Sequence, residues 1–228
     1  MNKQRPGKGI GWCDFTWNPV KGLCPVGCWY CYARAMYKRF KLPPEREFIL
    51  NNSDYIDDYS NKLKLASGTK VFICSTFEIF HPSVKKEWRD IIFLIIEKNP
   101  DIIFQILTKM PENIDRPMPD NVWLGVSVTG EDEILDIFTL DALRDTKAKV
   151  KFVSYEPMLD WIGWPMFNFD WLIIGRLTGY GHKNDPPRYR LEKLIKEAAE
   201  NNVPIFLKNN LKEIWGGKLI QEFPNASL

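Results

Sequence analysis

Short apolar runs of roughly four to eight residues, rich in β-branched and aromatic side chains, alternate along this chain with stretches whose apolar residues return every three or four positions. The runs predict strands at Ile10–Trp17, Lys70–Ser75, Ile102–Thr108, Val122–Val128, Val150–Tyr155, Trp171–Gly175 and Pro204–Leu207. The stretches between them predict helices at Cys31–Phe40, Val84–Lys98, Glu131–Leu143 and Arg190–Asn201, with shorter pieces near Ile56–Leu65 and Pro111–Ile114. Within Val84–Lys98, Trp88, Ile91, Ile92, Ile95 and Ile96 fall on one stripe, the mark of a helix laid against a core. Strand–helix alternation implies parallel β-α units, and near-continuous apolar strands imply a sheet covered on its outer face. The expected fold is therefore α/β, a partial (β/α)6-type TIM barrel of parallel strands. No linker, repeat or low-complexity tract divides it. One domain over 1–228 is expected, with an N-terminal tail at 1–8 and a C-terminal extension from 209.

Parallel β/α folds build their sites at the carboxyl ends of the strands, so polar residues that matter should follow the apolar runs. Those ends read Trp17-Asn18-Pro19, Ser75-Thr76-Phe77-Glu78, Thr108-Lys109, Ser127-Val128-Thr129, Tyr155-Glu156-Pro157 and Gly175-Arg176. The recurrence supports a barrel mouth better than any one motif.

Composition narrows the class. With 228 residues, 45% of them hydrophobic, the chain can bury a sizeable core, yet no apolar run reaches membrane-spanning length. The basic N-terminus lacks the apolar stretch of a secretory signal, so a cytoplasmic protein with no membrane partner is expected. Thirty-one basic against 29 acidic residues neither demand nor exclude a polyanionic partner. Five cysteines, three of them within Cys24-Pro25-Val26-Gly27-Cys28-Trp29-Tyr30-Cys31, do not make a disulfide framework and read as a cofactor clip in a reducing compartment.

A four-iron cluster normally takes four thiolates, and three from one loop leave one iron open to another ligand. The spacing C-x3-C-x2-C, with an aromatic residue before the last cysteine, resembles the signature of the radical S-adenosylmethionine (SAM) enzymes. Further blocks resemble, in order, an uncharacterised phage and prokaryotic family of radical SAM-like proteins. They are Gly11-Trp12-Cys13-Asp14-Phe15-Thr16-Trp17-Asn18-Pro19, Ile106-Leu107-Thr108-Lys109-Met110-Pro111-Glu112, Val122-Trp123-Leu124-Gly125-Val126-Ser127-Val128, Phe152-Val153-Ser154-Tyr155-Glu156-Pro157 and Asp170-Trp171-Leu172-Ile173-Ile174-Gly175.

The resemblance implies a radical SAM core with a [4Fe–4S] cluster on Cys24, Cys28 and Cys31. It implies SAM on the open iron and a one-electron reductant that splits SAM to methionine and a 5′-deoxyadenosyl radical. Tyr30 would pack on adenine, Ser75 and Thr76 would meet the SAM amino group, Lys109 its carboxylate, and Ser127 a ribose or carboxylate oxygen. Ser75-Thr76 departs from the Gly-Gly-Glu segment usual there. Gly175-Arg176-Leu177-Thr178-Gly179 departs from a Gly-Gly-Glu-Ser-Gly-like segment, with a cation at Arg176 that points to a more anionic substrate. Cys13 and Glu156 are the candidate catalytic groups. A nucleic acid or nucleotide is the expected substrate class, and a short chain leaves the mouth to a bulky substrate or to a partner protein that closes it.

Blander readings stand beside these. The three cysteines could hold structural zinc if Cys13, His81 or His182 supplied a fourth ligand, giving a zinc- or cluster-stabilised nucleic-acid-binding or accessory module without radical chemistry. Cys13 could be buried filler, Cys74 core, Lys109 a solvated strand end, Ser127 a core serine and Glu156 half of a structural pair. His182 lies in the Gly179–Pro187 loop, exposed or facing substrate. Arg34, Lys38, Arg39 and Lys41 among Tyr32, Tyr37 and Phe40 could bind single-stranded nucleic acid or simply form a solvated helix face.

Overall fold

The structure, a computed structural model, describes residues 1–5, 9–49, 62–163 and 168–225. Apolar runs form β2 (Phe15–Trp17), β5 (Lys70–Ile73), β6 (Ile103–Thr108), β7 (Val122–Val128), β8 (Val150–Tyr155), β9 (Trp171–Ile174) and β10 (Ile205–Leu207). With β1 (Asn2–Lys3) they make one eight-stranded sheet in the order β1-β2-β5-β6-β7-β8-β9-β10. Neighbours from β2 to β10 are parallel, and β1 alone runs antiparallel, Asn2 opposite Thr16 and Lys3 opposite Phe15. The expected tail thus begins as an edge strand. A two-stranded ribbon of β3 (Val20–Lys21) and β4 (Glu47–Phe48), with no periodicity to announce it, frames the cysteine loop.

The helices α1 (Tyr32–Phe40), α2 (Lys86–Glu97), α3 (Glu133–Asp145) and α4 (Arg188–Glu200) fall where the periodicity predicts them, and a short α5 (Lys212–Trp215) follows β10. Asp132 caps α3, its side chain accepting from Leu135 N at 3.0 Å, so that helix begins two residues later than the pattern alone implies. Ile92, Phe93, Ile95 and Ile96 of α2 and Leu191, Leu194 and Ala198 of α4 are buried. The expected piece at Pro111–Ile114 is a 3-10 turn over Pro111–Asn113, and that near Ile56–Leu65 lies largely outside the described residues. No helix among the described residues is long and apolar enough to cross a membrane.

Alternation of side chains along each strand gives the sheet two buried faces. Outward residues pack under the helices in a large cluster, while Phe72, Ile103, Trp123, Val150, Phe152, Trp171, Ile173 and Phe206 gather on the other face. The expected strand Ile10–Trp17 is ordered as strand only from Phe15, because Trp12 turns into this inner cluster. Its ring lies 4.5 Å from Phe72 on β5, yet also 5.9 Å from Phe152 on β8 and 6.2 Å from Trp171 on β9. One indole reaches both flanks only if the sheet curls around it. Gly11 lies so near β10 that a side-chain carbon there would sit 3.4 Å from the Phe206 ring. No ladder joins β10 back to β1 or β2 among the described residues. Instead the C-terminal extension covers the β10 edge, Leu207 N donating to Ile220 O and Glu222 N to Ile205 O, both at 2.8 Å, which shields unpaired backbone from association.

Candidate active site

The site lies at the carboxyl ends of the parallel strands. Cys24, Cys28 and Cys31 sit between β3 and α1, all free thiols and all partly exposed. Together with Leu23, Gly27, Arg34 and Thr76 they line one small recess. Two residues of the basic aromatic run hold this loop. Arg34 Nη2 donates to Cys24 O at 2.9 Å, and Gly22 N donates to Tyr37 Oη at 2.8 Å. Lys38, Arg39, Phe40 and Lys41 are left on the exposed side of the run.

The sulfurs are not drawn into a ready-made metal set. No three His, Cys, Asp or Glu side chains converge so among the described residues. The chemistry of the donors is nevertheless narrow. Three soft thiol ligands open onto the recess, whose described lining holds no carboxylate or imidazole, a set suited to an iron–sulfur cluster or zinc and poorly suited to hard cations. None of the candidate fourth ligands lines it. His81 Nδ1 is 2.6 Å from Ser83 Oγ, His182 Nδ1 is 2.8 Å from Asp185 Oδ2, and Cys13 is buried in the inner cluster. Cys31 is the N-cap of α1, so the positive end of that helix faces whatever negative charge the loop carries.

Beside the recess, and sharing Cys28 and Cys31 with it, a cavity of about 290 Å3 collects most of the residues singled out from the sequence. Tyr30, Ser75, Lys109 and Glu156 line it, with Trp12, Phe72 and Leu107 among its apolar lining. Lys109 is its central cation. Its Nζ donates to Ser127 Oγ at 3.0 Å and stands 5.5 Å from the centre of the Tyr30 ring. Burial pushes the Lys109 ammonium below its ordinary pKa, and burial, with Cys28 next, pushes the Tyr30 phenol up. Ser75 Oγ donates to Asn18 Oδ1 at 3.1 Å, while its carbonyl accepts from Tyr32 Oη at 2.9 Å. Thr76 faces the cysteine recess and a neighbouring larger cleft rather than the Lys109 cavity.

Cys13 stands apart from this group. Its thiol donates to Ile10 O at 3.8 Å within the inner cluster, and it borders a different groove beside Asp14 and Lys212. Burial pushes the Cys13 thiol up to about 12, and burial does the same to Cys74. Both remain protonated at neutral pH, so neither is poised as a thiolate ligand or nucleophile. In native protein freed of metal, iodoacetamide at pH 8 should label Cys24, Cys28 and Cys31 well before Cys13 and Cys74. Peptide mass mapping over a time course checks this, and early labelling of Cys13 would contradict its burial.

Two residues of the site carry more than the sequence reading gave them. Glu78, 6% exposed, accepts from Thr108 Oγ1 and Lys109 N at 2.8 Å each and from Phe80 N at 3.1 Å. It thereby fixes the turn that aims Lys109. Burial raises its pKa, and the three donors oppose that rise. Lys208, directly after β10, is ion-paired with Glu156 and lines the cavity. The strand-end rule that picks out Lys109 and Arg176 applies equally to the Lys208 that follows Ile205–Leu207.

Comparison with known proteins adds a family and no activity. No curated protein and no solved structure matches the chain. A family model described as "Protein of unknown function (DUF5131)" matches residues 7–221, nearly the full length, and the chain belongs to that family.

Proposed function

We propose that this protein is a radical SAM enzyme whose curled sheet is a partial β/α barrel of the radical SAM type. One juxtaposition carries the reading: three clustered thiols share an edge with a cavity in which a buried lysine has a hydroxyl and an aromatic face as neighbours. Cys24, Cys28 and Cys31 would hold a [4Fe–4S] cluster, leaving one iron for SAM. Bound together and given one electron by an external reductant, these groups supply cleavage of a carbon–sulfur bond, yielding methionine and a 5′-deoxyadenosyl radical.

The chain's own residues bind, orient and shelter. Lys109 offers a compact positive charge to a carboxylate, and charge-assisted hydrogen bonds gain strength in a cavity partly closed to water. Ser127, which accepts from that ammonium and donates to Glu156 O at 3.4 Å, fixes where the charge stands. Tyr30 presents a ring face beside Cys28 and Cys31. Ser75, Asn18 and Tyr32 form a hydrogen-bonded rim toward β2 and β5. Trp12, Phe72 and Leu107 line the cavity with apolar surface that keeps bulk water away from a reactive species. Glu156, held by Lys208, brings a carboxylate to the opposite wall, where it can accept or hold a substrate proton.

Anaerobic reconstitution with iron and sulfide tests the proposal. The expected result is a reducible four-iron cluster whose EPR spectrum changes on adding SAM, followed by 5′-deoxyadenosine. Zinc near one equivalent per chain, with no such cluster, would overturn it in favour of an accessory module. In the reconstituted protein Lys109→Met, which keeps the buried bulk and removes the charge, should weaken SAM binding about tenfold or more. Loss of a hydrogen bond to a charged group is worth roughly 1.5–3 kcal/mol. Equilibrium binding of labelled SAM measures this, and unchanged affinity would remove Lys109 from its role.

A further inference from the structure

The residues assigned to SAM come from the cysteine loop and from the ends of β5, β6 and β7. The other half of the mouth, built by β8, β9 and β10, carries Glu156, Arg176 and Lys208, and no part of SAM is assigned to it. Arg176 Nη1 donates to Asp185 Oδ2 at 2.7 Å and lies 2.8 Å from His182 Nδ1, which is itself 2.8 Å from Asp185 Oδ2. The Arg176 and Asp185 side chains are only 14% and 15% exposed. This clamp occupies one nitrogen of the guanidinium. Nε is buried and has no hydrogen-bond partner among the described residues. Nε and Nη2 form the side edge of the fork, the edge that takes two oxygens of one phosphate or carboxylate at once. Asp185 and His182 both meet Nη1, the nitrogen outside that edge, and so orient the fork. A buried donor left unmet is costly in a folded protein. Here it belongs to a residue that lines the 290 Å3 cavity together with the hydroxyl of Thr178 and with Lys208, a second cation that shares its charge with Glu156.

The loop that follows Arg176 also meets the cysteine loop through a tethered aromatic pair. Tyr180 stands on the same loop as Arg176, and its hydroxyl donates to Trp29 O at 2.9 Å. The Trp29 and Tyr180 rings meet edge to face at 5.3 Å, and Trp29 Nε1 donates to Glu131 at 3.0 Å. Both rings stay about half exposed, at 47% and 49%. Tethered aromatic rings that stay half exposed can offer stacking surface to a planar base.

We infer that the β8–β10 half of the mouth is a subsite for a nucleotide. Arg176, through Nε and Nη2, with Lys208 and Thr178, takes the non-bridging oxygens of a phosphate, and the base lies against Trp29 and Tyr180. The inference takes from the proposed function only the assignment of the facing half of the cavity to SAM, and the binding itself needs neither cluster nor reductant.

Calorimetry on the full chain, at fixed low salt, with each of the four ribonucleoside 5′-monophosphates, their nucleosides, orthophosphate and a single-stranded hexanucleotide tests it. At least one monophosphate should bind, with the matching nucleoside and orthophosphate each about tenfold weaker or more. Arg176→Lys, which keeps the charge and loses the fork, should weaken that monophosphate by a similar factor. Tighter binding of the hexanucleotide would support the same site and identify a strand as the source of the phosphate. Orthophosphate binding as well as the nucleotides would overturn the nucleotide assignment, and Arg176→Lys binding every ligand like the parent would overturn the subsite. Should that variant fold poorly, the assigned Arg176 Nε–H resonance of the unaltered protein serves instead: it should move on adding the monophosphate, and a resonance that stays put would overturn the inference. Monophosphate binding in a protein that never cleaves SAM would sink the enzyme reading and spare the subsite. SAM cleavage with no nucleotide response at Arg176 would do the reverse.

Discussion

Cys28→Ala should abolish cluster assembly and with it all SAM cleavage, while the fold remains. Cys28, like Cys31, belongs to both halves of the proposed chemistry: it lines the cysteine recess, and it also lines the cavity with Lys109. Two thiolates cannot replace three as anchors of a site that already leaves one iron to an outside ligand, so the loss should be complete rather than graded. The structural cost should be small because Cys28 is partly exposed, and its loop is held by contacts that do not use the thiol, Arg34 to Cys24 O and Gly22 N to Tyr37. The measurement is paired. Iron and sulfide content with 5′-deoxyadenosine formation should fall to background, while the circular dichroism spectrum and the melting temperature of the metal-free protein stay near those of the parent. Residual SAM cleavage would remove the cysteine loop from the chemistry. A collapse in metal-free stability would instead make Cys28 a packing residue.

How much of this could be read before the structure depends on the range over which each signal acts. The strand ends were legible because parallel β/α units put polar residues at one rim whatever their details, and Ser75, Lys109 and Glu156 come together in one cavity on that rule alone. Lys208 obeys the same rule and needed only its consistent application. Trp12 was not legible as a plug. It stands in an apolar stretch that reads as strand, and only the curl of the sheet, which brings Phe72, Phe152 and Trp171 around it, makes the inward turn favourable. The pairing of Val20–Lys21 with Glu47–Phe48 was hidden because two-residue strands carry no period. The basic aromatic run around α1 divided by contact rather than by composition. Arg34 and Tyr37 found local partners in the cysteine loop, and Tyr32 reached Ser75. The clamp on Arg176 was legible only as a change of charge, since the side edge left open depends on which nitrogen Asp185 takes.

Gly125→Ala should be the most destabilising small substitution in the inner core, costing roughly 1–3 kcal/mol, the usual range for overpacking a filled interior. Gly125 and Phe152 face each other across β7 and β8. The fully buried Phe152 ring lies over the glycine, and a methyl there would fall closer than 3.0 Å to several ring atoms. Neighbours leave the ring little room to retreat, with Trp12 at 5.9 Å and Trp171 at 5.6 Å between ring centres. The reduced backbone freedom of alanine in the unfolded chain offsets only about 0.4–1 kcal/mol. For a chain of this length each kilocalorie lowers the melting temperature by about 2–4 °C. The strain also reaches the site, because Ser127 follows Gly125 by two residues on the same face of β7 and carries the contact to Lys109 Nζ. Phe152→Leu shrinks the opposing side chain and separates this account from a general intolerance of β7. Alone it should destabilise, as a cavity does. Combined with Gly125→Ala it should cost less than the sum of the two single changes, because the added methyl then occupies space the ring has left. A double-mutant cycle from urea unfolding of the metal-free protein reads the coupling. Strict additivity would mean that the glycine is needed for something other than the aromatic ring laid across it.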